Sequence, residues 1–168
     1  MKSTHLFWIP GPWPGKLAIA ARPRGEDWLN DEMKGWRDEG VNTILSLLTV
    51  QEENELSLDA EPESANEAGL RFLSFPIPDR QVPGSPSQVA PLLDGLSHDL
   101  MEGQNVVIHC RGGVGRSGLM AACLLVLSGD DPETAVATVS HARGTTVPET
   151  PEQRHWIDLF AANLANAK

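Results

Sequence analysis

Short apolar runs recur along the 168-residue chain, and their positions predict five β-strands. Several of these runs are rich in β-branched residues, and others alternate apolar and polar positions, as strands of a packed sheet do. The predicted strands cover residues 6–9, 17–20, 41–48, 70–75 and 105–109.

The segments between these runs carry apolar residues at helical spacing. The predicted helices cover residues 26–39, 86–102, 119–127, 131–143 and 151–165, and the acidic stretch 51–68 is expected to be helical in part with an interruption at Pro62. Because strands alternate with helices, we expect an α/β fold. It would be a single domain over residues 1–168, with a central, mostly parallel sheet covered by helices on both faces.

The most informative stretch follows the last predicted strand. It reads His109-Cys110-Arg111-Gly112-Gly113-Val114-Gly115-Arg116-Ser117-Gly118. A loop that opens a helix leaves backbone N–H groups unpaired, and the helix dipole adds partial positive charge, so such loops bind phosphate. The three loop glycines are expected to allow the backbone dihedrals that turn N–H groups inward. The Arg116 guanidinium would donate hydrogen bonds to two phosphate oxygens at once.

We call this predicted phosphate-binding loop, residues 110–116, the cradle. Cys110 lies at its base. The field that binds phosphate also favours the thiolate form of a cysteine, and a thiolate facing a bound phosphate is a nucleophile aimed at phosphorus. A buried cysteine that ends a core strand beside a glycine turn would account for Cys110 alone. It would not account for Arg116 or Ser117, so we favour the chemical interpretation.

The stretch resembles the active-site loop of the cysteine-dependent protein tyrosine phosphatases. The order of parts is most similar to the small dual-specificity and kinase-associated phosphatases. The resemblance implies that Cys110 forms a phosphocysteine, that Ser117 eases departure of the sulfur and that His109 orders the loop. The phosphate-binding residues it implies are Arg111, Gly112, Gly113, Val114, Gly115 and Arg116. It implies no metal and no cofactor.

A general acid is also implied by the resemblance, in a loop ahead of the nucleophile. Asp79 in Pro76-Ile77-Pro78-Asp79-Arg80 stands thirty-one residues before Cys110. An aspartate after a proline is a common turn residue, but beside the cradle we interpret Asp79 as the acid.

Gln153 is a weaker candidate for a supporting role. Many tyrosine phosphatases carry a late glutamine that positions the hydrolytic water, and Thr150-Pro151-Glu152-Gln153 resembles that region. The same four residues form a capping-box pattern, as do Ser85 to Gln88, and for Gln153 we favour the capping interpretation.

Composition narrows the class of partner. A net charge of −10 and a pI near 4.8 argue against nucleic acid or an anionic membrane as partner. Two cysteines do not make a disulfide framework, and the N-terminus lacks the apolar segment of a signal peptide. We therefore expect a cytoplasmic monomer that acts on a phosphoprotein or another phosphate ester.

The sequence is compatible with more than one class of substrate. The leading hypothesis is a metal-independent phosphatase for phosphotyrosine, and for phosphoserine or phosphothreonine, on proteins. Phosphoinositide phosphatases of the superfamily that this stretch resembles typically have lysines in this loop, and the loop here has none, which argues against a highly charged lipid or polyphosphate substrate. The chain has no tyrosine, which favours a shallow dual-specificity site over a deep pocket specific for phosphotyrosine. The alternatives are a phosphatase for a small-molecule or lipid phosphate, and a phosphate-binding module without turnover.

Overall fold

The computed structural model describes residues 3–167, so residues 1, 2 and 168 of the predicted domain lie outside the described residues. Its five strands form one sheet in the order β1-β2-β5-β3-β4. The strands are β1 (Phe7–Ile9), β2 (Leu17–Ala20), β3 (Thr43–Ser46), β4 (Arg71–Ser74) and β5 (Val106–His109). β1 runs antiparallel to β2, and the other neighbours are parallel, which confirms the mostly parallel sheet.

Seven α-helices connect or follow these strands within residues 3–167. They are α1 (Leu29–Asp38), α2 (Val50–Glu55), α3 (Glu61–Glu67), α4 (Pro86–Met101), α5 (Arg116–Leu127), α6 (Pro132–Arg143) and α7 (Pro151–Asn166). The caps agree with the sequence signals: α4 and α7 begin with capping boxes, and α6 ends at Gly144 in the left-handed conformation.

Two segments differ from the expected helices. The helix expected from residue 26 begins as a single 3-10 turn and becomes an α-helix only at Leu29. Pro62 does not interrupt the acidic stretch, because the break lies at residues 56–60 and Pro62 is in the first turn of α3. A proline is tolerated there, since its missing N–H has no intrahelical partner to lose.

The sheet is covered on both faces, as the alternation of side chains along a strand requires. Leu17, Ile19 and Ile108 point to a core shared with α4, α5, α6 and α7. Ala18, Ile44 and Val107 point to a second core that contains residues of α1 and α3. α5 is buried at every position from Arg116 to Val126, so this helix fills the centre of the larger layer.

The carboxyl ends of three parallel strands meet at the centre of the sheet. In the register, His109 of β5 lies between Ala20 of β2 and Ser46 of β3. Ligands of open α/β sheets bind outside such carboxyl ends, and Cys110 is the first residue beyond β5. Over residues 3–167, every helix is too short or too polar to cross a lipid bilayer.

Candidate active site

The loop from Cys110 to Gly115 joins β5 to α5 and lies over the end of β2. The backbone N–H of Arg22 donates to the Arg111 carbonyl at 3.2 Å. Gly113 has a φ of +71°, and a Cβ at this position would lie 2.6 Å from the Ala20 carbonyl carbon. Both its backbone conformation and its close approach to β2 therefore require glycine at position 113.

The other two loop glycines differ from the expectation of unusual dihedrals. Gly112 and Gly115 have no positive φ. Gly115 caps α5 at φ −74° and ψ −74°, and a Cβ there would lie 3.0 Å from Gln153 Oε1. Close packing against α7, and not backbone strain, explains the glycine at position 115.

The Cys110 sulfur lies at the bottom of a cavity of about 230 Å³. The residues that line it are Asp79, Cys110, Arg111, Gly112, Val114, Gly115, Arg116 and Glu149. Cys110 is 2% exposed, and its sulfur lies 3.3 Å from the hydroxyl oxygen of buried Ser117. A hydroxyl at this distance can donate a hydrogen bond to a thiolate, which is the role that the family resemblance implies for Ser117.

Arg116 enters the same cavity from the first turn of α5 and is 2% exposed. Its two Nη atoms donate to the two carboxylate oxygens of Glu52, at 2.7 and 2.9 Å, and Nη1 also donates to the Ile77 carbonyl at 2.8 Å. Burial lowers the pKa of this guanidinium. The hydrogen bonds that Arg116 donates to Glu52 and the negative charges of Cys110, Glu52 and Asp79 raise the pKa by more, so Arg116 stays a cation.

Asp79 faces Arg116 across the cavity. Its Oδ1 accepts a hydrogen bond from Arg116 Nη2 at 3.2 Å. The acid loop, residues 76–84, is held at this place by Ile77, which is fully buried and donates its N–H to the Leu47 carbonyl at 3.0 Å. The structure thus brings the expected acid, nucleophile and cation together around one cavity.

Side chains of α7 donate hydrogen bonds to the C-terminal half of the acid loop. The Gln153 side chain donates from Nε2 to the Gln81 carbonyl at 3.1 Å, and Trp156 donates from Nε1 to the Gly84 carbonyl at 2.9 Å. Gln153 also closes the capping box with Thr150, as expected from the sequence. The buried side chain of Gln153 therefore joins the start of α7 to the loop that carries the acid.

His109 lies behind the loop and does not line the cavity. It is fully buried, with Nδ1 3.4 Å from the Cys110 carbonyl oxygen and Nε2 2.7 Å from Glu61 Oε2. These contacts agree with an ordering role for His109.

Three site residues lie in segments that the sequence did not single out, namely Glu52, Glu61 and Arg143. Arg143, at the end of α6, donates to the Gly113 carbonyl at 2.9 Å and to the Gly112 carbonyl at 3.3 Å. A signal existed for Glu52 alone, because Thr49 and Glu52 form a capping box that starts α2 just after β3.

Arg111, which lines the cavity, and Arg80, next to Asp79 in the acid loop, are each paired with a glutamate. Arg80 lies 3.2 Å from Glu149, and Arg111 lies 3.6 Å from Glu55. The described residues that line the cavity include no aromatic side chain. Burial raises the pKa of the second thiol, Cys123, which favours an inert core cysteine.

A search among known proteins finds a family and several relatives. The model of the family described as "Polymorphic toxin system, DSP-PTPase phosphatase" matches residues 18–130, which is more than half of the chain. Cyclin-dependent kinase inhibitor 3 of Sus scrofa is 35% identical over 99 residues, which cover 58% of this chain and 46% of that protein. The putative tyrosine phosphatase 197R of Invertebrate iridescent virus 6 is 34% identical over 103 residues, which cover 57% of this chain and 36% of that protein. The chain thus spans less than half the length of either relative.

Solved structures agree with the fold. Kinase-associated phosphatase, crystallised with its catalytic-site cysteine replaced by serine, superposes with a TM-score of 0.87 over 98% of both chains at 22% sequence identity. Tk-PTP in its active form superposes with a TM-score of 0.75 at 26% identity, over 94% of this chain and 96% of that one.

Proposed function

The chain belongs to the dual-specificity protein tyrosine phosphatase (DSP-PTPase) family, and on that basis we propose that it hydrolyses phosphate monoesters of proteins through a phosphocysteine. The substrates would be phosphotyrosine and phosphoserine or phosphothreonine. The observation that carries this proposal is the meeting of Cys110, Arg116 and Asp79 around one cavity.

In the first step, the Cys110 thiolate attacks phosphorus, and an S–P bond forms as the bond to the leaving oxygen breaks. Arg116 and the backbone N–H groups of the loop stabilise the equatorial phosphate oxygens. Asp79 gives its proton to the leaving oxygen, which departs as an alcohol or phenol.

In the second step, the Asp79 carboxylate takes a proton from a water molecule whose oxygen attacks the phosphorus. The S–P bond breaks, inorganic phosphate is released and the sulfur returns to a thiolate. A hydrogen bond from Ser117, 3.3 Å away, stabilises that thiolate as it leaves.

The cavity supports protein substrates over the alternatives. Among the described residues that line the cavity, Arg111 and Arg116 are the cations and no lysine is present, which leaves one arginine besides Arg116 for a lipid headgroup with several phosphates. A phosphate-binding module without turnover would not need an acid such as Asp79 beside the anion site. We also propose that residues 1–168 form one catalytic domain and that it works as a cytoplasmic monomer.

The test is phosphate release from para-nitrophenyl phosphate and from matched phosphotyrosine and phosphothreonine peptides, all with chelator present. We expect turnover in the wild type and in Cys123→Ser, none in Cys110→Ser, and slower turnover in Asp79→Asn. The Asp79 effect is larger on phosphothreonine, because an alkoxide leaves less easily than nitrophenolate. Normal turnover in Cys110→Ser would disprove the mechanism. Poor turnover of both peptides together with good turnover of a small phosphate ester would show that the substrate is a small-molecule phosphate.

A further inference from the structure

A buried pair of residues, His109 and Glu61, lies on the side of the sheet opposite to α5. His109 and Glu61 both have 0% of their side chains exposed, and His109 Nε2 lies 2.7 Å from Glu61 Oε2. The imidazole also lies beside the Trp36 indole, with ring centroids 6.0 Å apart. The pair therefore joins α3 to the end of β5, one residue before the nucleophile.

The hydrogen bonds of the pair limit where its hydrogens can lie. The Cys110 carbonyl oxygen can only accept, so His109 Nδ1, 3.4 Å away, carries a hydrogen. The contact between Nε2 and Oε2 needs one more hydrogen, which belongs to either atom. In both placements the pair has no net charge, which is the condition under which a buried carboxylate is tolerated.

His109 is the hydrogen-bond partner that the described residues supply to the Glu61 carboxyl group. Its other oxygen, Oε1, is buried and has no hydrogen-bond partner among residues 3–167. Burial raises the pKa of nearby Glu53, and repulsion from Glu61 and Asp59 raises it further, while His109 lowers it.

We propose that Glu61 is a positioning residue for the phosphate-binding loop, and that it acts through His109 on the Cys110–Arg111 peptide. The inference rests on the proposed function of the same loop. In a trans peptide the C=O and the next N–H point in opposite directions. When His109 holds the Cys110 carbonyl toward the back of the sheet, the Arg111 N–H points into the cradle. Glu61 fixes the ring that holds this carbonyl.

The experiment compares Glu61→Leu, Glu61→Gln and Glu32→Leu with the wild type. Glu32 is the matched control, because it is also a fully buried carboxylate in the same helical layer, but it binds Thr4 and Arg24. The readouts are kcat/KM on para-nitrophenyl phosphate, at a temperature where each variant is folded, and the 15N NMR signals of the His109 ring.

Removing an outer carboxylate that orients a functional histidine costs roughly 10–100-fold in activity at metal sites, and we expect about tenfold in kcat/KM for Glu61→Leu. Glu61→Gln keeps a hydrogen bond to Nε2 and should stay close to the wild type, as should Glu32→Leu. In the wild type the ring should carry its hydrogen on Nδ1, protected from exchange with solvent, and Glu61→Leu should remove that protection.

Three results would overturn the inference. They are an unprotonated Nδ1 in the wild type, an equal loss in Glu61→Leu and Glu32→Leu, and a loss in Glu61→Gln as large as in Glu61→Leu. The NMR result does not depend on turnover, so it tests the pair even if Glu61→Leu does not fold. An inactive wild type would contradict the proposed function alone.

Discussion

Asp79 Oδ1 lies 3.2 Å from Arg116 Nη2, so the expected general acid binds the cation that should bind phosphate. Together with Glu52 and the Ile77 carbonyl, this contact uses all four Nη hydrogens of Arg116. Among the described groups, the Nε–H is then its remaining donor. Arg116 can therefore donate two hydrogen bonds to phosphate, from Nε and Nη2, only after Asp79 has left Nη2. We expect Asp79 to turn toward the leaving oxygen when this happens.

We expect Asp79→Ala to bind inorganic phosphate more tightly while it turns over more slowly. Removing one charge about 4 Å from a bound anion is worth roughly 1 kcal/mol in water, or about a fivefold lower inhibition constant. The loss of the acid should slow cleavage of phosphothreonine by about 10²–10⁴-fold. Competitive inhibition by phosphate measures the first effect, and Asp158→Ala on the surface of α7 is the control. If phosphate bound Asp79→Ala no better than the wild type, Asp79 would not compete for Arg116.

The Glu52–Arg116 pair should support stability as well as activity. Removing one partner of a buried ion pair costs about 3–5 kcal/mol, so we expect a loss of this size in the free energy of unfolding of Glu52→Gln. Glu55→Gln is the control, because Glu55 lies on the same helix in an exposed pair with Arg111. Chemical denaturation at pH 7 measures both, and equal stabilities would contradict the prediction.

This stability difference should depend on pH in a defined direction. Burial alone raises the pKa of Glu52, but hydrogen bonds from Arg116 and Thr49 and the charge of Arg116 bring it below its ordinary value of 4.5. A carboxyl whose pKa falls on folding stabilises the fold when ionised. Its contribution is therefore complete above about pH 4.5 and is lost as the pH falls through the lower folded value. The gap between the wild type and Glu52→Gln should narrow in that acid range.

The sequence predicted elements better than it predicted contacts. Local signals were enough for the strand before Cys110, the caps of α4 and α7 and the end of α6 at Gly144. The family spacing was enough for Asp79. The strand order was not predicted, because no local signal says that β5 lies between β2 and β3.

No local sequence signal predicts that Glu52 contacts Arg116 or that Glu61 contacts His109. Glu52 lies 64 residues from Arg116, and Glu61 lies 48 residues from His109. The chain has 23 acidic residues, and only the folded arrangement shows which of them face a buried cation or a buried imidazole. Arg143 ends a helix that the sequence predicts, but nothing local to it indicates that it binds the loop backbone at Gly113.

Two glycines of the loop should respond differently to alanine. At Gly113, the φ of +71° costs an alanine about 1–2 kcal/mol, and its Cβ would lie 2.6 Å from the backbone of β2. We expect Gly113→Ala to shift the loop and lower kcat/KM by about 10²-fold, the cost of losing one oxyanion donor. A Cβ at Gly112 meets no atom within 4 Å, so Gly112→Ala should keep the wild-type melting temperature. Equal melting temperatures for the two variants would contradict this difference.

Gln153 allows its two roles to be separated by a single substitution. As N3 of a capping box it accepts hydrogen bonds through Oε1, and a glutamate performs that role equally well. Only the amide Nε2 can donate to the Gln81 carbonyl, and a glutamate would place a carboxylate oxygen against that carbonyl. Gln153→Glu should therefore keep α7 capped but release the acid loop.

We expect Gln153→Glu to lower kcat by about tenfold or more, because a misplacement of about 1 Å at a catalytic group costs up to about 10²-fold. The melting temperature should change little. Gln88→Glu is the matched control, since Gln88 closes the capping box of α4 through the same backbone contact at Ser85. If Gln153→Glu and Gln88→Glu both kept the wild-type kcat, Gln153 would be a helix cap and nothing more. A lower kcat in Gln153→Glu alone would show that Gln153 acts beyond the helix cap, by holding the acid loop or by positioning the hydrolytic water.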